Sequence, residues 1–131
     1  MNTPRYTPEQ ITSLKDNEIF VFGSNLRGEH NGGAAYFAKL RFGARQGQGV
    51  GLQGSSYAIP TMHGGPADIA PYVDEFITFA KENPHLHFLV TRVGCGIAGF
   101  KDADIAPLFA AALPLDNVTL PREFHAVLSG C

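Results

Sequence analysis

Two clusters of glycine in this chain follow runs that read as buried strands, an arrangement suited to holding a phosphate or diphosphate through backbone N–H groups. The sharper one is Val90-Thr91-Arg92-Val93-Gly94-Cys95-Gly96-Ile97-Ala98-Gly99-Phe100. Without Cβ atoms at Gly94, Gly96 and Gly99, amides can approach an anion closely, and in open α/β sheets the C-terminal ends of strands are where ligands bind. A lone Gly-x-Gly is more often only a tight turn. The second cluster shifts that balance. Gly23-Ser24-Asn25, followed by Gly32-Gly33-Ala34-Ala35 at a predicted helix start, offers another strand end, a side-chain amide and donors reinforced by the helix dipole. No Lys-Ser or Lys-Thr closes either run, and neither is a full Gly-x-Gly-x-x-Gly opening the first helix, which argues against ATPase and dehydrogenase chemistry.

Around these loops each polar residue has a chemical and a structural reading. Asn25 is suited to orienting a ribose or a water, and equally to closing a turn after its strand. Phe100 is placed to stack on an adenine or line a ribose, or to join the other phenylalanines in covering the core. Arg92 suits a phosphate contact, although a surface ion pair is the favoured expectation. Asp102 and Asp104 stand where helix-capping aspartates belong and are only reserve candidates for a base. His30 is the histidine closest to a proposed ligand loop and the best acid-base candidate, with solvation at the surface as its plainer role. His85 and His87 lack a Cys or carboxylate at ligand spacing, so no metal site is expected. Cys95 has no identifiable base partner and reads as a small loop residue.

The elements that must position these loops alternate between strand and helix. Thr7-Pro8-Glu9-Gln10 has capping-box spacing and predicts a short helix through Lys15. Glu18–Phe22 predicts a buried strand, Ala34–Phe42 a helix stopped by Gly43, and Ser56–Pro60 a strand after a stretch with glycines at 43, 47, 49, 51 and 54. That stretch implies loops, edge pairing or close ligand approach. Ile69, Tyr72, Val73, Phe76 and Ala80 fall at helical spacing, His87–Thr91 reads as a strand, Ile105, Leu108, Phe109 and Ala112 mark another helix, and Asn117–Leu120 a short strand before a terminal segment at 121–124. The echo of Ala67-Asp68-Ile69-Ala70-Pro71 in Ala103-Asp104-Ile105-Ala106-Pro107 marks two helix starts, with Asp68 and Asp104 expected as N-caps. The order implies a layered α/β fold with a mostly parallel central sheet flanked by helices.

At 131 residues there is room for a single domain and no second one. A net charge of −2 carries no electrostatic preference for nucleic acid or anionic lipid, so sequence-specific nucleic-acid binding is not expected. Cys95 and Cys131 do not form the dense framework of a small secreted protein, and reduced thiols are expected. The first eight residues lack the apolar core of a signal peptide, and no run approaches the ~20 apolar residues that span a bilayer. A soluble cytoplasmic protein without membrane association is expected.

Phe22-Gly23-Ser24-Asn25-Leu26 with Gly32-Gly33-Ala34-Ala35, and Gly94 to Phe100, resemble the first and second phosphate loops of the macro domains, which bind ADP-ribose and in several branches hydrolyse it from proteins or nucleic acids. Gly33-Ala34-Ala35-Tyr36-Phe37 and Val93-Gly94-Cys95-Gly96-Ile97 are most similar to the branch that removes terminal ADP-ribose from acidic side chains. That branch uses a lysine and an aspartate shortly after Gly-Cys-Gly. Here the latter place is Ala98, and no lysine lies between Arg45 and Lys81. Other hydrolytic branches pair an asparagine with an acid after the glycine run, where this chain has Asn25 but Ala34-Ala35. The resemblance therefore implies binding of ADP-ribose, a related NAD-derived nucleotide or an ADP-ribosylated macromolecule. The implied contacts are Gly23, Ser24, Asn25, Gly32, Gly33, Ala34, Gly94, Cys95, Gly96, Ile97, Ala98, Gly99 and Phe100, with no cofactor and no assigned catalytic residue. An ADP-ribosyl hydrolase or ADP-ribose phosphatase with a non-lysine mechanism is the alternative, and an interaction domain that binds no nucleotide is the third reading.

Overall fold

A computed structural model describes residues 6–96 and 98–129. Ile97 and Cys131, on which expectations also fall, lie outside them. The sheet has five strands in the order β2-β3-β1-β4-β5, where β1 is Glu18–Ser24, β2 Gly51–Gln53, β3 Ser56–Pro60, β4 His87–Val90 and β5 Val118–Thr119. All neighbours run parallel except β2, which pairs antiparallel with β3 at the edge. The fold is α/β with a mostly parallel mixed sheet.

The central strand β1 is buried on both faces, and its side chains alternate between two cores. Ile19 and Val21 point into the larger one, with Tyr57, Ile59, Phe88 and Val90 from the neighbouring strands. Phe20 and Phe22 point the other way, with Ala58. The larger core is covered by helix α2 (Pro66–Glu82), the short helix α3 (Asp102–Ile105), the 3-10 helix at Ala106–Ala112, and α4 (Arg122–Leu128). Its centre is aromatic, with Phe76 edge-on to Phe88 at 5.4 Å and to Phe109 at 6.2 Å between ring centroids. The smaller core is closed by α1 (Gly33–Arg41) through Ala35 and Ala38, with Ile11 and Leu14 packed at its margin. Gly43, at φ +78°, ends α1 as the sequence suggests.

Several sequence expectations are corrected. No helix forms over Thr7–Lys15. Tyr6 makes a parallel bridge to Leu120, the Thr7 N–H donates to the Leu120 carbonyl at 2.9 Å, and the Thr7 hydroxyl donates to the Thr119 carbonyl at 2.9 Å. The residue expected to cap a helix thus extends the sheet edge, a tertiary pairing that outweighs the weak local preference of so short a helix. Helix α2 begins before Asp68, which stands at its third position and accepts the Gly65 N–H at 2.9 Å; the N-cap is Gly65. Pro71 therefore lies inside the helix. Asp104 repeats this geometry, accepting the Lys101 N–H at 3.2 Å from the third position of α3, so the sequence echo is structural although neither aspartate is the N-cap. The segment carrying Leu108, Phe109 and Ala112 is a 3-10 helix, and the terminal segment is helix α4. Among the described residues no helix is long and apolar enough to cross a membrane.

Candidate functional site

The crossovers on the two sides of β1 run in opposite senses. Through α1 the chain reaches β3 on one side, and through α2 it crosses to β4 on the other. The loop after β1 leads into a helix on one face of the sheet, and the loop after β4 leads to α3 on the other face. Between these diverging loops an α/β sheet opens a crevice at the C-terminal ends of its strands. A cavity of about 490 Å³ occupies that place.

Its walls include Gly23, Ser24, Asn25, Gly32, Gly33, Ala34, Gly94, Gly96 and Ala98, so residues from both glycine loops converge. Cys95, Gly99 and Phe100 do not line it. Cys95 and Phe100 pack against the larger core instead, where Phe100 supports the loop from beneath. Sequence reasoning missed Glu29, Asn31, Ala35, Thr61, Met62, Thr91 and Val93, and gave Arg92 a different role. Thr61 and Met62 directly follow β3, and the strand-end rule applied to that strand would have found them.

The two glycine loops offer backbone donors. Helix α1 has no acidic residue in its first turn and no side-chain cap at Gly32. Its first intrahelical bond runs from the Tyr36 N–H to the Gly32 carbonyl at 3.2 Å, so the amides of Gly33, Ala34 and Ala35 have no intrahelical partner. All these residues line the cavity. In the second loop the Phe100 N–H folds back on the Gly94 carbonyl at 2.8 Å and the Gly99 N–H on the Gly96 carbonyl at 3.0 Å. Among the described residues no hydrogen bond engages the amides of Gly94, Gly96 or Ala98. Thr91 ties the two walls together, its hydroxyl donating to the Val21 carbonyl at 2.7 Å.

Charge at the cavity is sparse and comes from Glu29 and Arg92. Arg92 makes the expected ion pair: Nε and Nη2 donate to the two carboxylate oxygens of Asp102 at 2.9 and 2.8 Å. This fork raises the guanidinium pKa and holds Asp102 below the ordinary carboxylate value. Asp102 is thereby committed to Arg92, while Nη1 of Arg92 keeps its donors. Arg92 also borders a second cavity of about 740 Å³, which shares Gly33, Ala34 and Thr91 with the first. Ile11, Phe20, Phe37 and Pro121 give it apolar walls, and the carboxylates Glu9 and Glu123 line it as well.

Asn25 closes a turn. Its Oδ1 accepts the Glu29 N–H at 2.9 Å and its Nδ2 donates to the Glu29 carbonyl at 3.3 Å. His30 is fully buried, edge-on to Phe22, which corrects the expectation of a solvated side chain. Its Nε2 lies 3.1 Å from Oε1 of Gln53. Because that oxygen also accepts the Arg45 N–H at 2.7 Å, and Nε2 of Gln53 donates to the carbonyls of Gln48 and Gly51, the amide orientation is fixed. The His30 Nε2 is therefore the protonated nitrogen, assigned from the network, and Nδ1 is buried without a partner. His30 does not line the cavity and is not placed for acid-base work there.

The glycine-rich stretch at 43–54 pairs at the sheet edge and buttresses the first loop rather than approaching the cavity. The Ser24 hydroxyl donates to the Gly49 carbonyl at 2.5 Å, and the Gly47 N–H to the Gly28 carbonyl at 2.9 Å. Among the described residues no group of His, Cys, Asp and Glu is arranged to hold a metal ion.

Burial pushes the Cys95 thiol up to about 12, and the nearby Asp102 carboxylate adds to this. The reactive thiolate is therefore scarce at pH 8. In a Cys131→Ser background, iodoacetamide at pH 8 is expected to label Cys95 far more slowly than a free thiol of ordinary pKa, as read by intact mass. Labelling at the free-thiol rate would contradict the raised thiol pKa.

Comparison with protein-family models, curated proteins and solved structures returned no match.

Proposed function

We propose that this domain binds ADP-ribose or a closely related NAD-derived nucleotide, free or attached to a macromolecule. The observation carrying this reading is the convergence, at the reversal point of the sheet, of the α1 N-terminus and the Gly94–Ala98 loop on one cavity. Amides from two sides suit an extended diphosphate better than a single phosphate, and the helix dipole adds a partial positive charge. The resemblance of both loops to those of macro domains points to the same ligand.

The paired cavities suit an elongated molecule. The diphosphate would lie along the shared wall at Gly33, Ala34, Thr91 and Arg92, within reach of Nη1 of Arg92. The second cavity would take the base against Phe37 and Ile11, and the sugar beyond the diphosphate would enter the first.

Calorimetric titration with ADP-ribose tests the reading, supported by amide chemical-shift mapping. Saturable binding of one ligand per chain is expected, with the largest shifts at Gly33, Ala34, Ala35, Gly94, Gly96 and Ala98. A folded protein that shows no heat and no shifts at millimolar ADP-ribose would refute it.

A further inference from the structure

We infer that Glu29 is the specificity-determining residue that selects a ribose diol over a terminal phosphate in the first cavity. This rests on the ligand orientation proposed above.

Glu29 is the carboxylate among the residues lining this cavity. Its backbone is held on both sides by Asn25, through the N–H at 2.9 Å and the carbonyl at 3.3 Å, so its position in the loop is fixed. Among the described residues its carboxylate makes no hydrogen bond or ion pair, and Arg92, the cation of the same cavity lining, is engaged by Asp102. Glu29 lines the first cavity and not the second, as do Asn31, Thr61 and Met62. It therefore lies off the shared wall that would hold the diphosphate, at a solvent-exposed position of the cavity lining.

An unpaired carboxylate repels phosphate and accepts hydrogen bonds from hydroxyls. Two neighbouring hydroxyls on one face of a ribose match its two oxygens. A ligand ending in phosphate at this point would bring like charges together. The carboxylate thus favours a ligand with a sugar beyond its diphosphate over one that stops at the phosphate.

Titrating the parent protein, Glu29→Ala and Glu29→Gln with ADP-ribose and with ADP, which lacks the distal sugar, tests this. The parent is expected to prefer ADP-ribose. Glu29→Ala should lose about ten- to hundredfold in ADP-ribose affinity, the scale of hydrogen bonds to a charged group, while ADP binding stays the same or tightens. Glu29→Gln, which retains the shape and one acceptor, should fall between. Thermal melts of both variants should match the parent, because the structural bonds of Glu29 come from its backbone. Equal weakening toward both ligands, or unchanged ADP-ribose affinity in both variants of a binding-competent parent, would overturn the role of Glu29 alone. A parent that binds neither ligand would overturn the nucleotide reading and this inference with it.

Discussion

Replacing Gln53 with leucine is expected to cost about 4 kcal/mol of folding stability, since each buried polar group left unpaired costs roughly 1–3 kcal/mol. Gln53 is 1% exposed and its amide serves four groups: the Arg45 N–H, the His30 ring, and the carbonyls of Gln48 and Gly51. Leucine fills the space and satisfies none of them. The main loss falls on His30, whose Nδ1 already lacks a partner and whose Nε2 would lose its own. Urea denaturation of the single variants and of the double variant His30→Phe/Gln53→Leu measures this. The double variant should recover at least about 1 kcal/mol relative to additivity, because removing both members of a buried pair costs less than stranding one. A loss below about 1 kcal/mol in Gln53→Leu, or strict additivity, would show that the network does not hold the loop.

Gly49→Ala is expected to damage both stability and ligand binding, because its Cβ would lie 2.1 Å from the Asn25 carbonyl oxygen and 2.7 Å from that of Leu26. These are backbone atoms with little room to yield. The Asn25 carbonyl accepts the Gly28 N–H at 3.0 Å, and the Leu26 N–H donates to Nε2 of His63 at 2.8 Å. The loop must move, carrying Asn25 and the segment before α1 with it. Overpacking of this kind costs about 3 kcal/mol, a fall of roughly 10 °C in melting temperature for a chain of this size. Loss of loop geometry should also reduce ADP-ribose affinity at least about tenfold at temperatures where the variant is fully folded. Unchanged melting and unchanged affinity would mean that residues 47–50 do not buttress the site.

The alternation of strands and helices was legible because β1, β3 and β4 are buried on both faces and so appear as continuous apolar runs. Much of the cavity wall was legible too, because the Gly32-Gly33 helix start and the Gly94 loop combine glycine with a strand end. What escaped depends on distant pairing. Thr7 looks like a helix cap until the Leu120 carbonyl is available to it. His30 looks like a surface residue until Gln53, on an edge strand, covers it. Local periodicity carries no information about either partner. Glu29 sits in a run without periodicity, and only the closing of Asn25 onto it turns that run into part of a wall.

The reversal of strand order at β1 has a kinetic consequence. Neither glycine loop makes a cavity alone, and the two come together through the parallel pairing of β1 with β4, which sets Val21 opposite Val90. Such a contact closes a long loop of chain and is slow to form compared with hairpins or isolated helices. A ligand bridging the loops would therefore bind only after the non-local half of folding is complete. Its association during refolding would time the assembly of the whole sheet, and any intermediate in which only one loop has docked would be silent to it.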